Sequence, residues 1–310
     1  MATVMHDGQI AITPQELTDV ALSKSWASAY AWPAIKKFIM TKPLGAIGGA
    51  LIFAMALTAI FADVLAPYDP FEITQSLQFK PPSLEHWLGT DEFGRDLLTR
   101  LIYGARIALF IGLCAAFIGA TGGALLGVMS AYLGGKFDLL LQRLMDVMLA
   151  FPLLILALAI VSIMGRSIPN VLLAIAIPII PRTARIVRSS ALSIKENMYV
   201  EAARAVGGMH TRVMLRHILP NVMAPYLIML TAQLGNAILV ESSLSFLGLG
   251  TAEPTPSWGL MLSGSAASYA EMAPWVAIFP GLAISLAVFG FNLFGDSLRD
   301  ALDPKLRHRT

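Results

Sequence analysis

The polar residues best placed to act on a solute lie within residues 222–246, an apolar stretch long enough to cross a membrane. Gln233, Asn236 and Glu241 fall within one broad face of a helix at about 100° per residue. Their side chains could hydrogen-bond a passing solute, because a polar group without a partner is costly in hydrocarbon. The two amides could equally bond neighbouring helices, and Glu241 is expected near the outer interface, where a charge costs less. The pattern therefore predicts contacts either with a passing solute or with neighbouring helices, and it does not distinguish between the two.

A second set of charged residues, Asp91, Arg95 and Asp96, precedes another apolar stretch. Their spacing favours a capped, salt-bridged helix start over a contact with an external protein. His86 is the only histidine of the predicted outer loops, and one imidazole does not form a metal site. The sequence has no zinc-protease, serine-elbow or G-x-x-x-x-G-K-[ST] pattern. We therefore expect neither a catalytic constellation nor an ATPase site of its own.

The composition indicates a membrane protein. Of 310 residues, 56% are hydrophobic and 14% are charged, and the mean hydropathy is +0.68, whereas soluble domains carry about 25% charged residues. The net charge of +2 favours neither a nucleic-acid partner nor an acidic substrate. The single cysteine, Cys114, lies in an apolar segment and is interpreted as a packing residue. The sequence predicts an all-α, polytopic protein with one membrane domain.

Six segments reach the length of about 20 apolar residues that a spanning helix needs. The fourth is the weakest, because Pro169, Pro178 and Pro181 favour kinks in it. The predicted spans are 44–62, 107–133, 144–164, 168–187, 222–246 and 275–295.

The distribution of Lys and Arg orients these spans, because short cytoplasmic connections carry the excess of basic residues. Basic residues cluster before the first span, after the sixth span and in residues 182–220. Residues 63–103 are net acidic, and residues 249–274 contain no Lys or Arg. Both termini are therefore predicted to be cytoplasmic.

The predicted layout begins with a tail in which residues 32–40 could lie along the inner membrane surface or act as an ordinary basic flank. The predicted layout has a cytoplasmic N-terminal tail at 1–43, a six-helix membrane domain at 44–298 and a cytoplasmic C-terminal tail at 299–310. Within the membrane domain, residues 63–106 form an external loop and residues 188–220 form a cytoplasmic loop.

Small residues recur at intervals of four along the second predicted span, at Ala115, Gly119, Gly123 and Gly127. Such a ridge lets another helix approach closely. The pattern favours packing, within the chain or against a partner, over the lining of a passage.

The connection between the fourth and fifth spans holds a short amphipathic pattern. One apolar stripe at i, i+3, i+4 and i+7 is formed by Tyr199, Ala202, Ala203 and Val206. Gly207 is predicted to end this helix, because glycine readily takes the left-handed conformation of a helix end. A second helical stretch then runs to Pro220. The residues alone predict either a docking element or a surface helix lying on its own protein.

The run Glu201-Ala202-Ala203, followed by Gly207 and later by the Leu219-Pro220 pair, resembles the EAA loop of permease subunits of ATP-binding-cassette (ABC) importers. His217 stands where that pattern has isoleucine, and the glycine and the Leu-Pro pair keep their spacing. Further stretches are similar to the peptide and nickel branch of this family: LGTDEFGRD at 88–96, DVMLAFP at 146–152, LSFLGLG at 244–250 and PTPSWG at 254–259. The resemblance covers nearly the whole chain from about residue 33.

The resemblance implies a type I ABC-importer permease fold in the bacterial inner membrane, where the chain forms half of a channel with a second, homologous permease. It implies two ATP-binding partner subunits, with ATP and Mg²⁺ bound there and no cofactor bound by this chain. It also implies a periplasmic or lipid-anchored solute-binding protein, contact with lipid and no nucleic acid. The amphipathic loop is a coupling helix in that family. ATPase coupling is assigned by resemblance to Glu201, Ala202, Ala203, Gly207, Leu219 and Pro220.

Peptides, either dipeptides or oligopeptides, are the expected cargo. Nickel, glutathione or another small solute is the alternative for the same machinery. An ion-driven secondary transporter would place ionisable residues near mid-membrane and unwound helices at matching positions of two halves. The sequence shows neither pattern, and a membrane-embedded enzyme would need a catalytic constellation that it lacks.

Overall fold

The computed structural model describes residues 36, 38–263, 269 and 271–302, and these residues form an all-α protein. The stretch at 32–40 and both predicted tails lie largely outside the described residues. In chain order the α-helices are α1 Pro43–Ile60, α2 Ala62–Leu65, α3 Leu97–Leu133, α4 Gly135–Leu149, α5 Leu153–Met164, α6 Ile168–Lys195, α7 Met198–Ala205, α8 His210–Val213, α9 Met223–Phe246, α10 Trp258–Leu262 and α11 Trp275–Leu302.

Five of the helices in this part of the chain are long and apolar enough to cross a membrane, and α4 with α5 makes a sixth span if the bent pair is counted as one. The unbent spans are α1, α3, α6, α11 and the helical stretch that ends with α9. The predicted fold class, all-α and polytopic, is confirmed.

The third predicted span, residues 144–164, is wrong as a single helix. α4 ends at Leu149, α5 begins at Leu153, and the two helices are bent by 94°. Pro152 explains the break, because proline has no N–H to donate and disfavours helical backbone at the preceding Phe151.

The fourth span is one helix of 28 residues, longer than the predicted 168–187. The hydroxyl of Ser167 caps it by accepting a hydrogen bond from the Asn170 N–H at 3.3 Å. Pro169 lies in the first turn, where its missing N–H costs little. Pro178 and Pro181 lie inside the helix, which continues past both to Lys195.

The glycine ridge of α3 is the seam between α3 and α6. A Cβ atom on Gly119 would lie 2.6 Å from the carbonyl oxygen of Ala176, and one on Gly127 would lie 2.5 Å from that of Ala184. Only glycine permits this approach of two backbones. The predicted packing role of the ridge is confirmed for a contact within the chain.

α3 lies at the centre of the bundle and packs against α6, α9 and α1, while α11 closes the structure against α1 and α9. Ile111, Ile175 and Leu244 are wholly buried where α3, α6 and α9 meet. We call the end that bears residues 196–222 the short-helix end. The end that bears residues 61–96 and 247–257 is the long-loop end.

Candidate functional site

The turn after α7 closes the short-helix end. Gly207 has φ +82°, so the predicted left-handed conformation is confirmed. The Gly208 N–H donates to the Ala203 carbonyl at 3.0 Å, and the Gly207 N–H donates to the Arg204 carbonyl at 2.9 Å. These two bonds satisfy the last carbonyls of the helix in the pattern of a Schellman motif. A Cβ atom on Gly207 would meet no described atom within 4 Å.

α7 has one buried side and one exposed side. Val200 is 0% exposed and packs with Val213 and Ile218, with Ala203 partly buried beside them. The other three residues of the predicted apolar stripe, Tyr199, Ala202 and Val206, are exposed, Val206 by 87%. Since the helix buries only the narrow Val200–Ala203 seam, its other side presents apolar residues outward. Met198 and Met209, exposed by 84% and 73%, extend that outward apolar surface.

The buried side of this loop is tied to the end of α3. The Tyr132 hydroxyl and His210 Nδ1 are 2.9 Å apart and hydrogen-bonded. The Lys195 ammonium, at the end of α6, donates to the carbonyl of Ala131 at 3.0 Å. The loop is therefore hydrogen-bonded to the end of α3, and Lys195 joins that end to the end of α6.

The return into α9 changes helical form. Residues Met214–Ile218 are π-helical and Leu219–Val222 are 3₁₀-helical. Pro220 has no N–H, so the regular hydrogen-bond ladder cannot continue through it. Ile218 is 0% exposed and holds this segment in the core, whereas Pro220 is exposed. Glu201, Ala202 and Gly207 are exposed, and Leu219 is partly buried.

A cleft of about 1130 Å³ runs along one side of the bundle between α6, α9 and α11. Two of the predicted passage residues line it: Gln233, which is nearly buried, and Asn236, which is exposed. Asn236 Nδ2 donates to Gln233 Oε1 at 3.3 Å. Ser189, Ser190 and Ser193 supply hydroxyls from α6. Neutral hydrogen-bonding side chains thus line the cleft together with three charged ones, Arg182, Asp296 and Arg299.

Asn292 on α11 also lines the cleft, and the sequence analysis missed it. A Cβ atom on Gly235 would lie 2.8 Å from Asn292 Oδ1, so glycine there makes room for the amide. The signal that identified Gln233 and Asn236, a polar residue inside an apolar span, applies equally to Asn292.

Glu241 lies apart from the two amides. Its side chain is 0% exposed and accepts hydrogen bonds from Ser245 Oγ at 2.8 Å and Ser257 Oγ at 2.9 Å. It is absent from the described lining of the cleft. The grouping of Glu241 with the passage residues is therefore corrected: it ties the end of α9 to the loop before α10.

Asp91, Arg95 and Asp96 form the capped, salt-bridged helix start that their spacing favoured. Asp96 Oδ2 accepts from the Thr99 N–H at 2.8 Å, and Arg95 Nε donates to Asp91 Oδ2 at 2.6 Å. All three are buried, so they present no free surface to another protein. Burial, together with the neighbouring Asp91 carboxylate, raises the pKa of Glu92 beside them.

Comparisons with known proteins agree with this architecture. Residues 123–308 match the family described as binding-protein-dependent transport system inner membrane component. Residues 35–82 match the N-terminal transmembrane domain of oligopeptide transport permease C.

Several curated proteins are similar over most of the chain. The dipeptide transport system permease protein of Alkalihalophilus pseudofirmus is 44% identical over 89% of this chain and 90% of its own. A putative peptide transport system permease protein of Brucella suis biovar 1 is 44% identical, covering 84% and 88%. A glutathione transport system permease protein of Escherichia coli O6:K15:H31 is 45% identical, covering 83% and 84%. With its all-α architecture of five or six candidate spans, the chain belongs to the family of inner-membrane permease components of binding-protein-dependent transport systems.

Proposed function

We propose that this chain imports peptides as one of two permease subunits of an ABC importer, and that α7 with its Gly207 turn receives the movement of an ATP-hydrolysing subunit. The observation that carries the proposal is the two-sided geometry of α7. One side is fixed to the bundle through Val200, and the other exposes Tyr199 and Val206. An exposed apolar surface beside a rigid turn is typical of a docking site.

The cleft supports the role of half a channel. Its polar lining stands on one side of the bundle, where a second, homologous permease would complete the wall around Gln233 and Asn292. In this proposal two ATP-binding subunits carry ATP and Mg²⁺, the present chain binds no cofactor, and a periplasmic or lipid-anchored protein delivers the solute. The excess of Lys and Arg in residues 182–220 supports a cytoplasmic location for α7 and for both termini.

The names of the relatives support a peptide as cargo, since they include dipeptide and peptide permeases. The glutathione permease among them makes glutathione the second candidate. Nickel is a third candidate for the same machinery.

Co-purification and uptake test this proposal. The tagged permease is isolated from its native membrane, its companions are identified by mass spectrometry, and the complex is reconstituted in vesicles with its solute-binding protein. We expect a second permease, ATPase subunits, and ATP-dependent uptake of a labelled dipeptide. Uptake of glutathione or Ni²⁺ in place of the dipeptide would refute the assignment of peptides as cargo. Uptake driven by an ion gradient without ATP would refute the ATP-driven mechanism.

A further inference from the structure

Arg182 stands at the middle of a spanning helix. The predicted fourth span, residues 168–187, includes Arg182, and α6 extends that span to Lys195. At about 1.5 Å per residue, Arg182 is therefore about 20 Å from either end of α6. Since α6 is about 42 Å long and the hydrocarbon core about 30 Å thick, this position lies inside the span, toward the end that carries the other basic residues. An arginine inside a span is costly unless it faces water or a partner, and it commonly marks a solute path.

The neighbouring arginines of α6 both have partners. Arg188 makes a two-pronged ion pair with Asp138 of α4, with Nε to Oδ1 at 2.6 Å and Nη2 to Oδ2 at 2.5 Å. Arg185 pairs with Asp146, also on α4. Within the described ranges, no carboxylate lies within 4.0 Å of the guanidinium of Arg182.

Arg182 faces solute-accessible space. It lines the 1130 Å³ cleft and also a 410 Å³ recess behind the bend between α4 and α5, and Gln233 lines both spaces with it. Asp296 of α11 lines the cleft too, but the structure makes no ion pair between it and Arg182. The guanidinium of Arg182, which has no carboxylate partner among the described residues, thus lines two open spaces.

We propose that Arg182 binds the carboxylate of the transported solute during its passage. This inference rests on the proposed function and assigns a subsite within it. A guanidinium recognises a carboxylate through two parallel, charge-assisted hydrogen bonds. A peptide carries such a group at its C-terminus, ionised at neutral pH. Gln233 and Asn236 bond peptide groups more weakly because their amides are neutral, so the solute is held at one end and can leave.

The test uses the complete complex in vesicles, with its solute-binding protein saturated by dialanine or by dialanine amide. Arg182→Gln removes the charge and Arg182→Lys keeps it. The control is Arg143→Gln, because Arg143 is an exposed arginine of α4 that pairs with Asp146 and is absent from the described lining of both spaces. Because a charge-assisted hydrogen bond is lost, we expect Arg182→Gln to lower dialanine uptake about tenfold. We expect Arg182→Lys to restore most of the uptake, and Arg143→Gln to stay within about twofold of wild type.

The ratio of free-acid to amide uptake isolates the carboxylate. The solute-binding protein contributes the same preference to every variant, so a change in this ratio belongs to the permease. We expect the ratio to fall about tenfold in Arg182→Gln while subunit recovery and carrier-stimulated ATP hydrolysis remain at wild-type levels.

An unchanged ratio would overturn the carboxylate subsite. Loss of the companion permease from Arg182→Gln would also overturn it, because Arg182 would then pair with a carboxylate of that subunit. A wild-type complex that hydrolyses ATP but moves no peptide would instead refute the proposed function, and the subsite would fall with it.

Discussion

The guanidinium of Arg204, at the end of α7, lies over the ring of Tyr132, 4.6 Å from its centroid. Tyr132 is 5% exposed and also hydrogen-bonds His210. One aromatic side chain at the end of α3 therefore contacts both helices of the exposed loop. Because α3 is packed closely against α6 along the glycine seam, Tyr132 is one route by which a displacement of α7 reaches the bundle, beside the buried Val200.

The first prediction concerns this contact. A stacked cation is worth about 0.5–2 kcal/mol, so Tyr132→Leu should loosen α7 while leaving the bundle folded. We expect the number of peptides moved per ATP hydrolysed to fall about threefold to tenfold, with Tyr132→Phe intermediate because it keeps the ring. The measurement is uptake and phosphate release in the same vesicles.

Tyr103 provides the matched control. It lies at the other end of α3, with Arg106 over its ring at 5.4 Å and its hydroxyl bonded to Asp63 at 2.8 Å. Tyr103→Leu removes an equivalent pair of contacts away from α7, so it should leave the coupling ratio unchanged. Equal losses in both leucine variants would show that Tyr132 has only a general structural role.

The second prediction concerns the α3–α6 seam. A Cβ atom on Gly123 would lie 2.6 Å from the carbonyl oxygen of Ile180, whereas one on Gly122 would lie 3.7 Å from the end of the Ile180 side chain. Gly123→Ala should therefore destabilise the protein by about 1–3 kcal/mol through overpacking. Gly122→Ala should not. Thermal unfolding of both variants in detergent measures this difference, and equal unfolding temperatures would contradict the close approach of the backbones.

Three features of the fold could be predicted from the local sequence: the glycine ridge, the Gly207 turn and the positions of most spans. The glycine ridge depends on small side chains at a regular spacing, the Gly207 turn on the backbone freedom of one residue, and the spans on apolar length, so each could be predicted without the tertiary structure. The 94° bend before Leu153 was not predicted, because the run of apolar residues indicates one continuous span whereas Pro152 favours a break. Hydropathy alone does not show which of these two effects is stronger.

Other features arise from tertiary contacts. The buried Glu241 accepts hydrogen bonds from two hydroxyls, that of Ser245 on the same helix and that of Ser257 in the loop before α10. α7 buries Val200 because Val213 and Ile218 fold back against it. Arg182 differs from Arg185 only because Asp146 reaches the latter from α4. No spacing rule along one helix reports such neighbours.

The third prediction concerns orientation. Glu85, Glu201 and Glu253 are all exposed, so a cysteine at each is accessible wherever it lies. In a Cys114→Ala background, an impermeant thiol reagent should label Glu85→Cys and Glu253→Cys in cells whose outer barrier is permeabilised. Glu201→Cys should react only after the inner membrane is opened. Labelling of Glu201→Cys in the intact state would refute the predicted orientation.

The fourth prediction concerns Gly207. With φ +82°, any residue bearing a Cβ is strained there by about 1 kcal/mol or more. A carboxylate would add an unpaired charge to the exposed apolar surface that Tyr199 and Val206 form, which is costly once a partner covers that surface. Gly207→Asp should therefore insert normally yet lose about tenfold in carrier-stimulated ATP hydrolysis, in uptake and in retention of the ATPase subunit. Gly165, between α5 and α6, has φ +86°, ψ 170° and equally open space, a conformation essentially restricted to glycine, so Gly165→Asp carries at least as much backbone strain away from α7. The control should retain all three activities. Equal losses in both variants would attribute the effect to backbone strain, and wild-type behaviour of Gly207→Asp would remove Gly207 from the docking surface.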